Sequence, residues 1–291
     1  MSVKKNERIS VVLVNYNGRK YLQSCIESIK EQSYRNITIY VVDNCSEDDS
    51  VEFLESHYPE VEMIIEKENT GFAKGNNIGI KAAISGGAEY VLLLNVDTVI
   101  DKFLVERLLE AADCNSVAVP KIYSDKRMLK VWYAGGEIDF EKGRSFHKGL
   151  GEKEGIQEVG FACGCCMLLH KDIFRIVGEF DEKYYLYFED TDYSMRLRKN
   201  SIKIQFVPDA IMWHKIGGSG GKDGVYLKKY YIVRNQLYFI KKFRVDLRIG
   251  VIRVVFDIVR QDILKSRDKK MHDYIWRGIF DFLSKNMYRK R

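Results

Sequence analysis

The sequence predicts an α/β protein in which a mostly parallel central sheet is flanked by helices. Short apolar runs rich in β-branched residues alternate with helical patterns along the first part of the chain, which is typical of a parallel sheet covered on both faces. A length of 291 residues with 46% hydrophobic and 30% charged content suits one large domain with an appendage.

Four continuous apolar runs are predicted to be the first strands, because a strand buried on both faces lacks the alternation of a half-exposed strand. These strands are predicted over residues 9–14, 37–42, 61–65 and 90–94. Helices are predicted after them from residues at helical spacing or from capping signals. They are expected around residues 22–29, after Ser46 as N-cap, over 73–84 and over 103–112.

The following part of the chain has weaker patterns. Residues 120–160 are rich in Gly, Lys and Glu, which indicates a mixed region of strands and loops. A buried strand is predicted over 158–169, and a second over 203–207 before Pro208. Helices are predicted over 171–177 and 189–199, and the second has acidic residues at its start and basic residues at its end, matching the helix dipole.

The six cysteines are scattered, which predicts reduced thiols in a reducing compartment. Cys163, Cys165 and Cys166 cluster, but no second cysteine pair follows at the spacing of a zinc site. We therefore interpret them as small buried strand residues. The N-terminus has no apolar leader, and no apolar run reaches about 18 residues. These features predict a cytoplasmic protein.

Basic charge is concentrated in the C-terminal region. Residues 226–291 contain 18 Lys and Arg against 6 Asp and Glu, whereas residues 1–225 contain 29 against 35. One predicted helical face carries Ile249, Ile252, Phe256, Val259 and Ile263. The region also contains the aromatic residues Tyr230, Tyr231, Phe239, Phe243, Trp276 and Phe280.

Two interpretations of this C-terminal region stay open. Basic helices with apolar faces fit peripheral contact with the anionic inner face of the cell membrane. They equally fit a helical cap on the rest of the chain or a homodimer interface. Nucleic-acid binding is not expected, because no recognised motif accompanies the charge.

Oxygen-bearing side chains follow two of the predicted strands. Asp43 and Asn44 come directly after the second strand, and Asn95 and Asp97 after the fourth. Ligands of open α/β sheets bind outside the carboxyl ends of the strands, and oxygen ligands suit Mg²⁺ or Mn²⁺ carrying a diphosphate. On an extended segment, Asn95 and Asp97 would point the same way. The alternative for either pair is a turn or a helix N-cap.

Three carboxylates, those of Glu189, Asp190 and Asp192, stand in the first turn of a predicted helix. One carboxylate would complement the helix dipole, a gain of about 0.3–1 kcal/mol. Three neighbouring carboxylates indicate a functional site in which each negative charge shifts the pKa of the other carboxyl groups. Further on, His214 precedes the glycine-rich segment 217–221. A lone histidine fits packing or capping, and the segment fits phosphate binding, a lid hinge or a flexible loop.

Together these segments resemble the inverting family 2 glycosyltransferases of GT-A fold, and most of all their rhamnosyltransferase-like branch. The resemblance covers about residues 8–240 and rests on eight motifs in the family's order. They are Val14-Asn15-Tyr16-Asn17-Gly18, Val41-Val42-Asp43-Asn44-Cys45-Ser46, Glu68-Asn69-Thr70-Gly71-Phe72-Ala73-Lys74-Gly75-Asn76-Asn77, Leu93-Leu94-Asn95-Val96-Asp97-Thr98, Cys163-Gly164-Cys165-Cys166-Met167-Leu168-Leu169, Gly178-Glu179-Phe180-Asp181-Glu182, Tyr187-Phe188-Glu189-Asp190-Thr191-Asp192 and Pro208-Asp209-Ala210-Ile211-Met212-Trp213-His214.

The resemblance implies a role for individual residues. Asp190 would be the catalytic base, with Glu189 beside it orienting the acceptor. Asp97 and His214 would bind the metal ion. The implied nucleotide-sugar-binding residues are Asn15, Asp43, Asn44, Asn69, Gly71, Lys74 and Asn95. Because Asn95 replaces the first aspartate of the family's usual Asp-x-Asp pair, one negative charge is absent and weaker metal binding is expected.

The resemblance also implies the reaction and its partners. Rhamnose or a hexose would pass with inversion from a dTDP- or UDP-sugar to a hydroxyl of a saccharide or lipid-linked saccharide, with Mg²⁺ or Mn²⁺ as cofactor, in surface polysaccharide or glycolipid synthesis. Residues 1–225 would form the catalytic domain, with a nucleotide-sugar half over about 8–120 and an acceptor half over about 121–225. Residues 226–291 would form the basic helical region.

Two other functions fit parts of the pattern. A nucleotidyltransferase should carry a glycine-rich, basic loop after the first strand, and Asn15-Tyr16-Asn17-Gly18 is not such a loop. A non-catalytic sugar-nucleotide-binding module would not need the carboxylates of Glu189 and Asp190. Both features favour the transferase.

Overall fold

A ten-stranded sheet forms the centre of the protein. The structure is a computed structural model that describes residues 6–124, 130–149, 155–215, 221–244, 250–264 and 267–287. The strands are β1 (Ile9–Asn15), β2 (Ile37–Asp43), β3 (Glu62–Ile65), β4 (Tyr90–Asn95), β5 (Thr98–Ile100), β6 (Ser116–Tyr123), β7 (Val131–Tyr133), β8 (Gly136–Asp139), β9 (Arg144–His147), β10 (Gln157–Val159), β11 (Cys166–His170) and β12 (Lys203–His214).

Nine helices are found among the described residues, together with a 3₁₀ turn at Glu182–Tyr184 and a π-helical turn at Val259–Ile263. The helices are α1 (Arg19–Lys30), α2 (Ser50–His57), α3 (Gly71–Ser85), α4 (Leu104–Ala111), α5 (Lys171–Val177), α6 (Glu189–Lys199), α7 (Gly221–Lys242), α8 (Val251–Ile258) and α9 (Lys269–Leu283).

Most strands of the sheet run in one direction. The order in the ten-stranded sheet is β10-β12-β6-β11-β4-β1-β2-β3, with β5 beside β12 and β7 beside β6, while β8 and β9 form a separate two-stranded sheet. Strand β1 is parallel to β2 and β4, β2 is parallel to β3, and β12 is parallel to β6. Strand β11 lies antiparallel between β4 and β6. The predicted α/β class with a mostly parallel sheet flanked by helices is thus confirmed.

The central strands are buried, which explains their unbroken apolar sequences. In β1, the side chains of Val11, Val12 and Leu13 are all fully buried. Helix α3 packs across β1 and β2, and it comes so close that a Cβ atom at Gly79 would collide with the side chain of Val12. This close packing fixes the beginning of α3 relative to the carboxyl ends of the two strands.

Three local predictions were wrong. The strand predicted over 158–169 is two separate strands, β10 and β11, because the chain leaves the sheet between them. Ser46 does not cap a helix; it donates a hydrogen bond to Asp43, and α2 begins later, after Asp49. The strand predicted over 203–207 continues to His214 beyond an irregularity after Val207.

The C-terminal helices pack on one another and on the sheet domain. Both α8 and α9 pack against α7, and four aromatic residues in and just after α7 are buried, namely Tyr230, Tyr231, Phe239 and Phe243. On the outer surfaces of α8 and α9, Ile252 and Phe280 are exposed. Ile249, which was predicted to share the face of Ile252, lies outside the described residues. Among the described helices, none has the length and apolar character needed to cross a bilayer.

Candidate functional site

The carboxyl ends of the parallel strands meet along one edge of the sheet, and polar residues singled out from the sequence lie there. Asn15 ends β1, Asp43 ends β2, Asn95 ends β4 and His214 ends β12. Strand β11 runs the other way, so its first residue, Cys166, pairs with Leu94 at the same edge. This edge is where open α/β sheets bind their ligands.

The first part of the site is a network centred on the fully buried Asp43. Its Oδ2 accepts hydrogen bonds from Asn15 Nδ2 at 2.8 Å and from Ser46 Oγ at 2.7 Å. Its Oδ1 accepts one from the Ser46 N–H at 2.8 Å. A Cβ atom at Gly18 would collide with Asn15 Oδ1, so glycine is needed there. In this arrangement Asp43 holds Asn15 and the following turn in place.

The second part of the site links Asn44 to the beginning of α3. Asn44 Nδ2 donates to Asn69 Oδ1 at 3.2 Å and to the Gly71 carbonyl at 3.1 Å. Asn44 Oδ1 accepts from the Thr70 N–H at 2.8 Å. Lys74 follows in the first turn of α3. Most of the residues predicted to bind the nucleotide sugar therefore lie in or beside one connected hydrogen-bond network.

Asp97 and His214 are in direct contact at the other side of β4. His214 Nε2 lies 3.1 Å from Asp97 Oδ1. The contact follows from the pairing of β5 with β12, which places His214 opposite Thr98. Asn95 and Asp97 do not lie on one extended segment, because the chain turns at residues 96–97. The expectation that an extended backbone aligns this pair was therefore wrong, although the sheet still brings Asp97 to the site edge.

The donor atoms around Asp97 fit a divalent cation. A carboxylate oxygen and an imidazole nitrogen 3.1 Å apart match two adjacent ligands of an octahedral ion with bonds of about 2.1 Å. Within the described residues, Asn95 Oδ1 and His214 Nδ1 are buried without a hydrogen-bond partner. Buried polar atoms normally have partners, so Asn95 Oδ1 is an acceptor that a ligand could use, whereas His214 Nδ1 points away from the Nε2 atom that contacts Asp97.

The protein supplies only part of such a coordination shell. The described residues contain no cluster of three or more His, Cys, Asp or Glu suited to a metal ion. An ion at Asp97 and His214 would therefore take its remaining ligands from substrate or water. That is the usual arrangement for Mg²⁺ bound to a substrate diphosphate.

Asp190 lies in the first turn of α6 and reaches the same edge through the loop before β11. Its Oδ2 accepts a hydrogen bond from the Gly164 N–H at 3.1 Å, and its Oδ1 accepts one from the Thr191 N–H at 2.7 Å. A Cβ atom at Gly164 would stand 3.2 Å from Asp190 Cβ, so the absence of a side chain there allows the close approach.

The loop that carries Gly164 also contacts the end of β4. The Cys165 carbonyl accepts a hydrogen bond from the Asn95 N–H at 3.0 Å. Cys163 and Cys165 lie in this loop and not in a core strand, whereas Cys166 is the first residue of β11. All three are buried free thiols, so the predicted burial holds while the predicted strand applies to Cys166 alone.

The two neighbouring carboxyl groups of α6 have different environments. Burial raises the pKa of Glu189 well above its usual value, and the charge of Asp190 raises it further. Burial also raises the pKa of Asp190, but hydrogen bonds from the Gly164 and Thr191 N–H groups oppose that shift. Glu189 Oε2 is buried and has no hydrogen-bond partner among the described residues. Asp190 is thus the member of the pair that ionises first, and its charge favours the protonated form of Glu189.

Trp132 and His147 also line this region, and they were not predicted from the sequence. The Trp132 ring lies 4.6 Å from the ring of His147 and 4.9 Å from the ring of His214, between centroids. Burial lowers the pKa of His147, while the carboxylate of Asp190 opposes this. The hairpin of β8 and β9 is tied to α6 by a 2.9 Å hydrogen bond between Ser145 and Thr191. The only sequence signal was an aromatic residue and a histidine in an otherwise irregular segment.

The glycine-rich segment falls almost entirely outside the described residues. Residues 217–220 are not described, and Gly221 is the first residue of α7. The choice between a phosphate loop, a lid hinge and a flexible connection therefore stays open.

Comparison with known proteins agrees with this arrangement. Residues 10–178 match the family described as glycosyl transferase family 2. The dTDP-rhamnosyl transferase RfbF of Shigella flexneri is 26% identical over 94% of this chain and 94% of its own length. The N-acetylglucosaminyl-diphospho-decaprenol L-rhamnosyltransferase of Mycobacterium tuberculosis is 24% identical over 90% of this chain and 96% of its own length.

A solved structure shows the same fold. The crystal structure of GalNAc-T7 with UDP, GalNAc and Mn²⁺ superimposes with a TM-score of 0.63 at 17% identity, over 90% of this chain and 59% of that longer chain. At this identity the likeness concerns the GT-A fold alone. The family match covers more than half of the chain and includes Asn15, Asp43, Asn95 and Asp97, whereas Asp190 and His214 lie beyond it. The chain therefore belongs to glycosyl transferase family 2 and is a glycosyltransferase.

Proposed function

We propose that this enzyme transfers rhamnose or a hexose, with inversion, from a dTDP- or UDP-sugar to a hydroxyl of a saccharide acceptor in surface polysaccharide or glycolipid synthesis. The observation that carries the proposal is a half-buried Asp190 carboxylate, held by two backbone N–H groups, at the same sheet edge as the Asp97–His214 pair. The names of the two relatives, a dTDP-rhamnosyl transferase and an L-rhamnosyltransferase, support rhamnose as the first donor to test.

In the proposed reaction, Asp190 is the general base. Its carboxylate accepts the proton of the acceptor hydroxyl while the hydroxyl oxygen attacks the anomeric carbon of the donor. The bond between that carbon and the diphosphate oxygen breaks in the same displacement, which inverts the configuration. Protonated Glu189 donates a hydrogen bond that orients the acceptor, a role available to a neutral carboxyl but not to a second carboxylate.

The donor is proposed to bind along the remaining edge. The residues that would shape the pocket for base and ribose are Asn15, Asp43 and Asn44, and those that would extend it toward the diphosphate are Asn69, Gly71, Lys74 and Asn95. Lys74 lies near the N-terminus of α3, where a helix favours anions. Asp97 and His214 would hold Mg²⁺ or Mn²⁺, which when bound offsets the negative charge that builds on the departing diphosphate.

A donor screen tests this function directly. We expect one dTDP- or UDP-sugar to raise the melting temperature more in the presence of Mn²⁺ than without it, because a ligand that binds only the native state stabilises it. That donor should then support transfer to a saccharide or lipid-linked saccharide. NMR of the product should show the inverted anomeric configuration. Retention of configuration, or the absence of any donor effect across the set, would reject the proposal.

We further propose that residues 1–225 act as the catalytic domain and that residues 226–291 bring it to a lipid-linked acceptor at an anionic membrane surface. On α9, Trp276, Phe280 and Leu283 lie at helical spacing and are 49%, 69% and 67% exposed. On α8, Ile252 and Phe256 are 87% and 59% exposed. Such apolar stripes on a region with 18 basic against 6 acidic residues complement an anionic leaflet.

The burial of the aromatic residues in this region distinguishes those that fit a helical cap from those that fit contact with a membrane. The α7 aromatics that fit a cap are buried, whereas Trp276 and Phe280 are exposed on a helix that packs on α7 with its other side. The mycobacterial relative carries a lipid diphosphate, N-acetylglucosaminyl-diphospho-decaprenol, in its name. A membrane-bound acceptor of this kind would make contact with a bilayer useful.

Changing the exposed stripe on α9 is expected to reduce membrane binding. The double variant Trp276→Ser with Phe280→Ser should bind vesicles of phosphatidylglycerol and phosphatidylcholine about tenfold more weakly in sedimentation, because two large apolar side chains no longer insert. Ile176→Ser on α5 is the matched control, since Ile176 is 50% exposed but lies on the catalytic part. Unchanged vesicle binding by the double variant would overturn the proposal that this stripe binds a membrane. The proposal would also be overturned if the wild-type protein and the Ile176→Ser control were dimers and the double variant were a monomer.

A further inference from the structure

A strained loop connects the donor side of the site to the catalytic helix. Residues 184–188, which we call the 184–188 loop, contain three non-glycine residues with positive φ, namely Tyr185 at 60°, Tyr187 at 67° and Phe188 at 73°. Residues other than glycine rarely adopt this backbone conformation. Phe188 is also the N-cap residue of α6, so the loop conformation sets where Glu189 and Asp190 begin.

The 184–188 loop is held from outside by two neighbouring residues of α7. Asn235 Nδ2 lies 2.9, 2.8 and 2.7 Å from the carbonyl oxygens of Tyr184, Leu186 and Tyr187. Arg234 Nη2 donates to the Tyr184 carbonyl at 2.9 Å, and Arg234 Nε donates to Asn235 Oδ1 at 2.9 Å. The second bond fixes the orientation of the Asn235 amide, so its N–H groups face the loop.

Both α7 residues, Arg234 and Asn235, are completely enclosed. Burying a charged guanidinium and an amide is costly unless their hydrogen bonds are satisfied. Here Asn235 Nδ2 and Arg234 Nη2 bond to backbone carbonyls of the 184–188 loop, and Arg234 Nε bonds to Asn235. Lys242 at the end of α7 adds a contact to α6, with its Nζ 2.6 Å from Asp192 Oδ2. Helix α7 is therefore attached both to the 184–188 loop and to α6, the helix that carries the catalytic carboxyl groups.

The same loop touches the donor side of the site. The Tyr185 carbonyl accepts a hydrogen bond from the Phe72 N–H at 2.7 Å, and the Tyr185 hydroxyl donates to Asn69 Oδ1 at 2.9 Å. The Tyr185 ring stacks on Tyr231 of α7 at 5.3 Å between centroids. Gly71 has a φ of +84°, and a Cβ atom there would stand 2.5 Å from Tyr185 Cδ2. Helix α7 therefore supports a loop that contacts both halves of the site.

We infer that Arg234 and Asn235 are positioning residues for the transfer reaction: they lock the 184–188 loop and thereby fix Asp190 relative to the donor. This inference rests on the proposed role of Asp190. It gives a function in the site to α7, which lies beyond the residues 10–178 matched by the family. The C-terminal region is then part of the catalytic unit as well as a surface for the acceptor.

The variant Asn235→Asp tests the inference with almost no change in shape. It replaces the N–H donors with an oxygen that faces three carbonyl oxygens, which should release the loop. We expect kcat to fall about 10²-fold, since a displacement of about 1 Å at the reacting groups has an effect of that size. The KM for the donor and the affinity for its nucleoside diphosphate should change far less than kcat, because the Asn15–Asp43 network is untouched and only the Tyr185 contacts with Asn69 and Phe72 are disturbed.

The matched control is Gln236→Glu, the same amide-to-acid change at the next position of α7. The Gln236 amide donates a 2.9 Å hydrogen bond from Nε2 to the Lys142 carbonyl in an exposed setting, away from the 184–188 loop, and kcat should stay near the wild-type value. Asn235→Ala is measured in parallel in case Asn235→Asp folds poorly. Failure of both Asn235 variants to fold would assign the pair to stability alone and overturn the inference.

Two further results would also overturn it: unchanged kcat in folded Asn235→Asp, or a proportional loss of kcat and nucleotide affinity. These outcomes are distinct from failure of the proposed function. If wild-type protein transfers sugar and Asp190→Asn does not, the base is established independently. Normal turnover in Asn235→Asp would then reject only the positioning role.

Discussion

Asp190→Asn is expected to reduce kcat for sugar transfer by about 10²–10⁴-fold, the usual contribution of a general base. The amide cannot accept the acceptor's proton, whereas it keeps nearly the same shape and can still accept a hydrogen bond from the Gly164 N–H through its oxygen. Nucleotide binding should persist, because the donor network around Asp43 does not include Asp190. Steady-state transfer and nucleotide titration on the same preparation measure both effects.

Glu189→Gln is the matched control at the adjacent position. The pKa of Glu189 is raised well above its usual value by burial and by the charge of Asp190, which favours the neutral form of the wild-type side chain. Glutamine is also neutral and retains an N–H donor, and we expect kcat to fall by no more than about tenfold. If Glu189→Gln lost as much activity as Asp190→Asn, or if Asp190→Asn turned over like wild type, the assignment of the base would be wrong.

The central sheet was predictable because its strands have a simple physical signature. Buried parallel strands need apolar residues on both faces, and residues 9–14, 37–42 and 90–94 show this almost without interruption. The positions of Asp43 and Asn95 at the site edge followed from the strand ends, whereas Asn15 was implied by the family resemblance. The helix of Asp190 was also predicted with its observed bounds, since its charges follow the helix dipole.

Other parts of the site depend on contacts between distant segments, which local patterns do not report. Residues 158–169 are mostly apolar or small, and nothing in this local pattern reports that the chain leaves the sheet there and brings Gly164 close to Asp190. His147 reaches the site through the pairing of β8 with β9, and Asp97 meets His214 through the pairing of β5 with β12. The roles of Arg234 and Asn235 likewise depend on a loop about fifty residues earlier in the chain.

The faces of the C-terminal helices were the least predictable feature. The residues at positions 252 and 256 form an apolar stripe that would usually face a protein core. In the structure the buried residues of α8 are Val254 and Ile258 instead, while Ile252 and Phe256 are exposed. Because α8 has apolar residues on most of its surface, the spacing of those residues does not determine which side of the helix packs against the protein. The side that packs is determined by the contact with α7, which the local sequence does not report.

Removal of divalent cations is expected to reduce transfer by about 10²-fold or more, because several kcal/mol of charge stabilisation on the leaving diphosphate would be lost. Excess EDTA should give this loss, and added Mn²⁺ or Mg²⁺ should reverse it. Asp97→Ala and His214→Ala should each raise the Mn²⁺ concentration needed for half-maximal activity. Asp209→Ala is the matched control, since it removes an exposed carboxylate from the same strand as His214.

The asparagine at position 95 allows a variant that should strengthen metal binding as well as variants that should weaken it. Asn95→Asp adds one negative charge beside Asp97, so the Mn²⁺ concentration for half-maximal activity should fall, the opposite of Asp97→Ala. A second readout that does not require turnover is the Mn²⁺ dependence of the melting temperature in the presence of the nucleoside diphosphate. If the ion binds between these side chains and the diphosphate, the variants must rank in the same order by both readouts. Asn95→Asp should need the least Mn²⁺ and Asp97→Ala more than wild type, whether melting temperature or activity is measured. Full transfer in excess EDTA, or an Asn95→Asp variant that needs more Mn²⁺ than wild type, would instead mean that the contact between Asp97 and His214 has no part in metal binding.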